Sequence, residues 1–540
     1  MTTHKGFEHS FDYIIVGGGS AGCVLANRLS EDGRFRILLL EAGRKPPGFF
    51  SAMPSGFARF IHSPTFNWLY RGQSFAQQTT YTPRGKGLGG SSAINAMIYC
   101  RGSQQDYQRW ADAAGHEWSY AALLPYFKKS EANQRGASYY HGARGPLKVS
   151  DKVPYYPVCR AFVEACQELG LPYNHDFNGD TLTGAGPFQF TMANGERCST
   201  YKAYLKPVAD RHNLTILSGY DVRRVLFDGH NAQGVEAFSK GQKHHFYAHR
   251  EVILAAGALA SPVILQRSGI GDSESLKSVH VPVVYHAPEV GNNLAEHADI
   301  CIHVKNKKRN GLTLTPWGLV KLLPALLYYL INKNGQLSHS LAEVGAFFDV
   351  SDNDWANENE PRFQCHVLPV MFKDSGYNWW PTLKHGFSIH VCLLRPESRG
   401  SIQINPEDPF GKPLINYRFF ENPNDLVALT AAVKKVCNLL ETDALKPFVG
   451  KRLFPRPYNR DSELAQQITE EIGLIYHPVG TCRMGQDQHS VVNPRCCVRG
   501  VNKLRVIDAS IMPTPISGNT NAPTIAIAEK GADLIKADAF

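Results

Sequence analysis

The sequence predicts an α/β chain, α+β overall, in which a parallel-sheet domain is joined to a second, discontinuous domain built on an antiparallel sheet flanked by helices. Three observations carry that prediction. A strand, a glycine turn and a helix follow one another at 11–29, a unit of similar shape recurs at 251–269, and short strands gather between 363 and 405. With 540 residues the chain exceeds what one hydrophobic core usually supports, so two domains are expected.

Residues 11–16, FDYIIV, are apolar and rich in β-branched and aromatic side chains, as a buried parallel strand requires. Gly17, Gly18, Gly19, Ser20, Ala21 and Gly22 follow, then CVLANRL with helical spacing of its apolar positions. In a Rossmann-like unit Gly17 permits the tight turn, Gly19 lets a pyrophosphate approach the backbone, and Gly22 lets helix and strand pack closely. The helix N-terminus at Ser20 and Ala21 then offers free N–H groups to the phosphates. Such glycines alone often mark only a turn. Here ILLL at 37–40 forms a second apolar strand ending in Glu41 and Ala42, about 20 residues on, where a carboxylate accepts ribose hydroxyls. An acidic residue at that place favours NAD or FAD over NADP.

Composition narrows the class. Hydrophobic residues make up 43% and charged residues 19%, which fits a globular enzyme and excludes a disordered chain. Fifty-seven basic against 48 acidic residues give a net charge of +9, spread along the chain, and this does not indicate nucleic acid. The polar start MTTHKGFEHS leads straight into the first strand, so no signal peptide and a cytoplasmic location are expected. Twelve cysteines without a CxxC pair are expected to be free thiols, with Cys496 and Cys497 on opposite faces of a strand. His244, His245 and His249 lack cysteine or carboxylate partners at ligand spacing and read as a solvated strand face, so no metal is expected.

Further along, 214–227 alternates as paired strands do and 235–254 continues the pattern. EVILA at 251–255 and the helical ASPVILQRSG close the second glycine unit at Gly269. Strands at 363–370, 387–394 and 401–405 suggest a second sheet. The boundaries expected are 1–311 for the nucleotide domain, 312–455 for the substrate domain and 456–540 for a return to the first. Within the second region WGLVKLLPALLYYLI at 317–331 is interrupted by Lys321 and Pro324 and follows the basic run 305–309. Two readings stand open for it, a partly buried helix or a peripheral contact with the inner face of a membrane. It is too short and too interrupted to span a bilayer.

The chemistry concentrates near the end of the chain. In YHPVGTCRMG at 476–485, Pro478 fixes the backbone beside His477 and Gly480 allows close approach. The segment NTNAP at 519–523 follows, and a histidine base with a hydrogen-bonding amide suits alcohol oxidation. A chain that leaves the cofactor domain and returns at its end would bring His477 and Asn521 to the domain interface, where ligands commonly bind.

RGKGLGGSSAINAMIYCRG at 84–102 and GALASPVILQRSGIG at 257–271 resemble the two signatures of the glucose-methanol-choline family of FAD-dependent oxidoreductases. With the first glycine motif and the histidine and asparagine segments, the similarity spans essentially the whole chain. Within the family the segments at 84–102, 476–485 and 519–531 are most similar to bacterial membrane-linked aliphatic alcohol dehydrogenases and are also similar to choline dehydrogenases. The resemblance implies a Rossmann-like FAD-binding domain and oxidation of a primary alcohol to an aldehyde. His477 would act as base, the hydride would pass to flavin N5, Asn521 would meet the alkoxide, and electrons would go to a quinone-type acceptor. Choline oxidation, or an oxidase reaction with O2, is the alternative. It further implies flavin contacts by Gly90, Ser91, Asn95, Ala96 and Met97, an adenine contact by the Val222 backbone, and diphosphate contacts by Asp508 and Ala509, the former equally readable as a cap for Ser510. Pro523 and Thr524 would open a helix facing the flavin. Ile94 stands where some members carry a flavin-linking histidine, so non-covalent FAD is expected. Glu296 stands where aspartate is usual.

Overall fold

The computed structural model describes residues 10–46, 48–76, 78–350, 360–372 and 380–539. Its first sheet runs in the order Leu214–Ser218, Ile37–Glu41, Ser10–Val16 and Gln242–Leu254, all parallel. Ile37–Glu41 is buried throughout, which explains its unbroken apolar run. The long strand Gln242–Leu254 serves two partners. Its first half pairs antiparallel with Asn231–Ser239, which continues to Asp221–Asp228, and Val252–Leu254 pairs parallel with Leu504–Val506. The C-terminal segment therefore re-enters the sheet that the N-terminus began.

Helix Ser20–Leu29 lies against Asn521–Asp538, the last helix, through a bidentate pair in which Arg28 Nε and Nη2 each donate to Glu529 at 2.8 Å. Glu529 is buried and also accepts from Tyr204 Oη at 2.9 Å. A charge-assisted fork of this kind holds the two helix N-termini in one relative position.

The second sheet is antiparallel, in the order Val449–Phe454, Ala298–Asn306, Gly386–Leu393, Phe363–Leu368, Val344–Phe348 and Gly184–Pro187, with Gly473–Leu474 beside Ala298–Asn306. Several of these strands come from outside the 312–455 interval. One face, with Ile300, Ile302, Val304, Ile389 and Val391, is buried in the same core as helices Pro157–Glu168 and Pro423–Asn438. The other face carries Asp299, Cys301, His303, Gln364, His366, Ser388, His390 and Cys392, because alternate strand residues point the same way.

Three expectations are corrected. Ser401–Gln403 joins a separate four-stranded sheet with Leu414–Asn416, Tyr70–Gln73 and Thr79–Thr82, because its partners lie in that layer. Leu214–Ser218 and Asp221–Asp228 do not pair with each other; the first is a parallel edge strand and the second belongs to the next hairpin. Cys496 sits in a left-handed turn at φ 64° rather than within a strand. All twelve cysteines are free thiols. Helix Pro316–Asn332 covers the 317–331 segment, and among the described residues no helix is long and apolar enough to cross a membrane.

Candidate active site

The two uncapped helix N-termini open into one cavity of about 730 Å³. Gly19 and Thr520 precede these helices without side-chain caps, and neither helix has an acidic residue in its first turn. Free N–H groups at both ends suit an anionic group and an electron-rich ring. Asn521 ties the ends together, its Oδ1 accepting from Ser20 Oγ at 2.8 Å. Gly22 is required by packing: a Cβ there would stand 1.8 Å from the Gly17 carbonyl oxygen. A Cβ on Gly19 would meet only Gly90 Cα, at 4.0 Å, so that side of the loop is open to a ligand.

Of the residues assigned to cofactor or chemistry, all except Gly22 and Pro523 line this cavity. Glu41 does more than face a ribose. Its Oε2 accepts from Gly18 N at 2.8 Å, and its Oε1 accepts from Gly43 N at 2.8 Å and Gly87 N at 2.9 Å. It thereby fastens the phosphate loop to the 84–90 loop. Asp508 both lines the cavity and caps, with Oδ1 accepting from Ser510 N at 2.8 Å and Oδ2 from Gly257 N at 2.8 Å and Ser261 Oγ at 2.6 Å. Asn95 Oδ1 accepts from Arg197 Nη1 at 2.7 Å and from Met97 N at 3.1 Å, holding Met97 at φ 65°.

At the other end of the cavity His477 is buried, and its partner is Asn519 rather than Asn521. Asn519 Nδ2 lies 3.1 Å from His477 Nε2, while Gln364 Nε2 reaches Asn519 Oδ1 at 3.5 Å. That orientation turns the amide NH₂ toward the imidazole, so Nε2 accepts and the neutral ring carries its proton on Nδ1. Nδ1 in turn faces His297 Nδ1 at 3.1 Å. Sequence offered two asparagines two residues apart; the start of the last helix at Asn521 takes that side chain toward Ser20, leaving Asn519 for the histidine. Asn519 is held by its neighbour Ser517, whose N and Oγ donate to buried Asp106 at 2.6 and 2.9 Å.

Local structure fixes His477 closely. Val479 and Ala295 exchange backbone hydrogen bonds of 2.9 and 3.1 Å, which joins the 293–297 and 476–481 segments. Gly480 adopts φ 86°, and a Cβ there would stand 2.6 Å from Asn293 O. Glu296 Oε1 accepts from His477 N at 2.7 Å and His297 N at 3.0 Å, giving that carboxylate a positioning role. Burial pushes Glu296 up to about 8 although Arg84 Nη2 stands 3.9 Å away. Burial, with His297, His366 and Arg84 nearby, holds His477 well below the ordinary imidazole value. The site thus maintains a neutral imidazole whose one lone pair, on Nε2, meets the Asn519 amide at the cavity wall.

Sequence reading missed Asn519, His297, His366 and His390, the last two of which also line the cavity. A signal was present: polar residues at every second position of 364–366, 388–392 and 299–303 mark one sheet face.

The family models described as GMC oxidoreductase match residues 11–299 and 396–528. The alcohol dehydrogenase (acceptor) of Pseudomonas putida is 39% identical over 97% of this chain and 95% of the relative. Human mitochondrial choline dehydrogenase is 39% identical over 97% of this chain and 90% of the relative. Among solved structures, pyridoxine 4-oxidase from Mesorbium loti superposes with a TM-score of 0.87 at 30% identity, covering 97% of this chain and 98% of that one. Formate oxidase gives a TM-score of 0.89 at 26% identity, covering 98% of each chain.

Proposed function

The chain belongs to the GMC oxidoreductase family, and from that premise we propose that it oxidises uncharged primary alcohols to aldehydes and delivers the electrons to a quinone-type acceptor. FAD is the cofactor, and the two uncapped helix ends, Glu41 and the 90–97 loop are the residues that would hold it, without a covalent bond at Ile94. When bound, the flavin supplies the hydride acceptor at N5. The observation that carries the reading is the pair His477 Nε2 and Asn519 Nδ2, 3.1 Å apart on the cavity wall. A hydroxyl that displaces this contact donates to the imidazole lone pair and accepts from the amide. His477 then takes the proton, and Asn519 stabilises the developing alkoxide.

An apolar alcohol is favoured because Leu341, Ala342, Leu368 and Phe372 line the cavity. The test is anaerobic mixing of the flavin-loaded protein with 1-alkanols and with choline. Bleaching by alkanols supports the reading, bleaching by choline alone would transfer it to quaternary ammonium alcohols, and no bleaching by any alcohol would overturn it. Comparing turnover with a quinone and with air separates dehydrogenase from oxidase.

The depressed proton affinity of His477 sets a pH expectation. The proton-accepting form is the neutral one, so activity is present above its pKa and lost as pH falls through it. Because that pKa lies below 6.5, the acid limb of kcat/KM should fall below pH 6.5. A limb centred at or above 6.5 would contradict the role given to this histidine.

Membrane contact is part of the same proposal. Helix Pro316–Asn332 exposes Val320 and Leu323 at 63% and Ile331 at 80%, along with Leu319, Leu327, Tyr328 and Leu330. Lys305, Lys307, Lys308 and Arg309 are exposed nearby in sequence. An apolar helix flanked by cations matches an anionic lipid surface. Vesicles containing phosphatidylglycerol should sediment the protein at low salt, and Leu323→Glu with Leu327→Glu should abolish this. Wild-type protein remaining in the supernatant would count against it.

A further inference from the structure

The polar face of the second sheet holds a group of side chains that the alcohol reaction does not use. Cys301 and His390 are directly opposite one another on adjacent antiparallel strands. Asp299 Oδ2 lies 2.7 Å from His390 Nδ1, and His390 Nε2 lies 3.5 Å from Cys301 Sγ. His303 Nδ1 approaches the same sulfur at 3.8 Å. The order is nucleophile, base and carboxylate orienter, the arrangement by which proteins activate a thiol. His390 and His366 line the same cavity as His477, and His366 Nε2 is buried there without a hydrogen-bond partner.

We propose that Cys301, His390 and Asp299 form a covalent binding site for small aldehydes, in which the Cys301 thiolate adds reversibly to the carbonyl carbon. The C–S bond forms as the carbonyl π bond breaks, its electron pair moves to oxygen, and that oxygen takes the proton held on the His390 imidazolium. No oxidant is consumed, and the reverse step returns the aldehyde and the ion pair. Asp299 orients His390 through the 2.7 Å contact with Nδ1. Cys301 Sγ lies 3.5 Å from His390 Nε2 and 3.8 Å from the Phe372 carbonyl oxygen, and both of those residues line the cavity. The choice of aldehyde as ligand rests on the proposed alcohol oxidation, whose product would be generated in this cavity; the thiol chemistry does not.

The electrostatics agree with the geometry. Burial works against the Cys301 thiolate, but His303 and His390 outweigh it and bring the thiol down to about 6. His390 is raised well above the ordinary imidazole value, burial being outweighed by Asp299 and Cys301. Cys497, the other part-exposed cysteine among the described residues, is instead raised by burial and serves as an internal control.

The test uses the flavin-loaded protein and measures iodoacetamide alkylation of each cysteine by peptide mass at pH 7. Cys301 should react about tenfold or more faster than Cys497. His390→Gln and Asp299→Asn should remove that advantage while leaving the Cys497 rate unchanged. Butanal should protect Cys301, with reactivity returning after gel filtration, whereas tert-butanol, which offers neither a carbonyl nor an α-hydrogen, should not. Equal rates at the two cysteines, an unaltered rate in His390→Gln, absence of butanal protection, or equal protection by tert-butanol would each overturn the proposal. Protection by butanal in a protein whose flavin no alcohol bleaches would leave this site standing and retire the alcohol reading. Bleaching without protection would do the reverse.

Discussion

His477→Ala should slow anaerobic flavin reduction by alcohol about 10²-fold or more, the usual contribution of a positioned general base. That corresponds to roughly 2.7 kcal/mol of barrier. The substitution deletes the Nε2 lone pair facing Asn519 and the Nδ1 contact with His297, while the backbone amide that donates to Glu296 remains. The surrounding structure should therefore persist, and flavin content should stay near that of the unaltered protein. Asn519→Ala is the companion experiment. It removes the alkoxide donor and leaves the base, so the rate should fall while its acid limb still reports His477. Asn521→Ala should act instead through the Ser20 link and show itself in flavin retention. A His477→Ala protein that reduces its flavin at the unaltered rate would end the assignment.

Glu41→Ala should yield protein that purifies largely without flavin and melts at a lower temperature. Three backbone amides, from Gly18, Gly43 and Gly87, lose their acceptor at once in a buried place. Each unsatisfied buried amide costs about 1–3 kcal/mol, less where water can enter. Against a typical domain stability of roughly 5–15 kcal/mol this is a large fraction. The loss falls on the two loops that shape the cavity, so binding suffers along with stability. Glu41→Gln retains one acceptor oxygen and should lie between. Measuring the flavin-to-protein absorbance ratio together with a melting curve separates this account from one in which Glu41 meets only the ribose, where flavin would be lost with little change in the melting of the flavin-free protein.

Much of the nucleotide domain was legible because its requirements are local. The apolar run 11–16, the spacing of Gly17, Gly19 and Gly22, and the strand ending at Glu41 each answer a constraint felt within a few residues or one crossover unit. The long apolar helix at 316–332 was legible for the same reason. The amide that faces His477 was not. Asn519 and Asn521 are alike in sequence, and only the helix start at Asn521 and the anchoring of Ser517 by Asp106 send one amide to the histidine and the other to the phosphate loop.

Glycine spacing, strand periodicity and the family's motifs are each written along single stretches of chain, so the fold class, the family resemblance and the FAD were legible there, and His477 stood out as the expected base. The tertiary structure alone decided which side chains meet. Glu296 binds the amides of His297 and His477 across 181 residues of chain in the longer case. Asp299, Cys301 and His390 come together only because two strands pair in one register. Register and crossing are set by burial of the sheet's apolar face in the common core, a nonlocal term that no single segment carries.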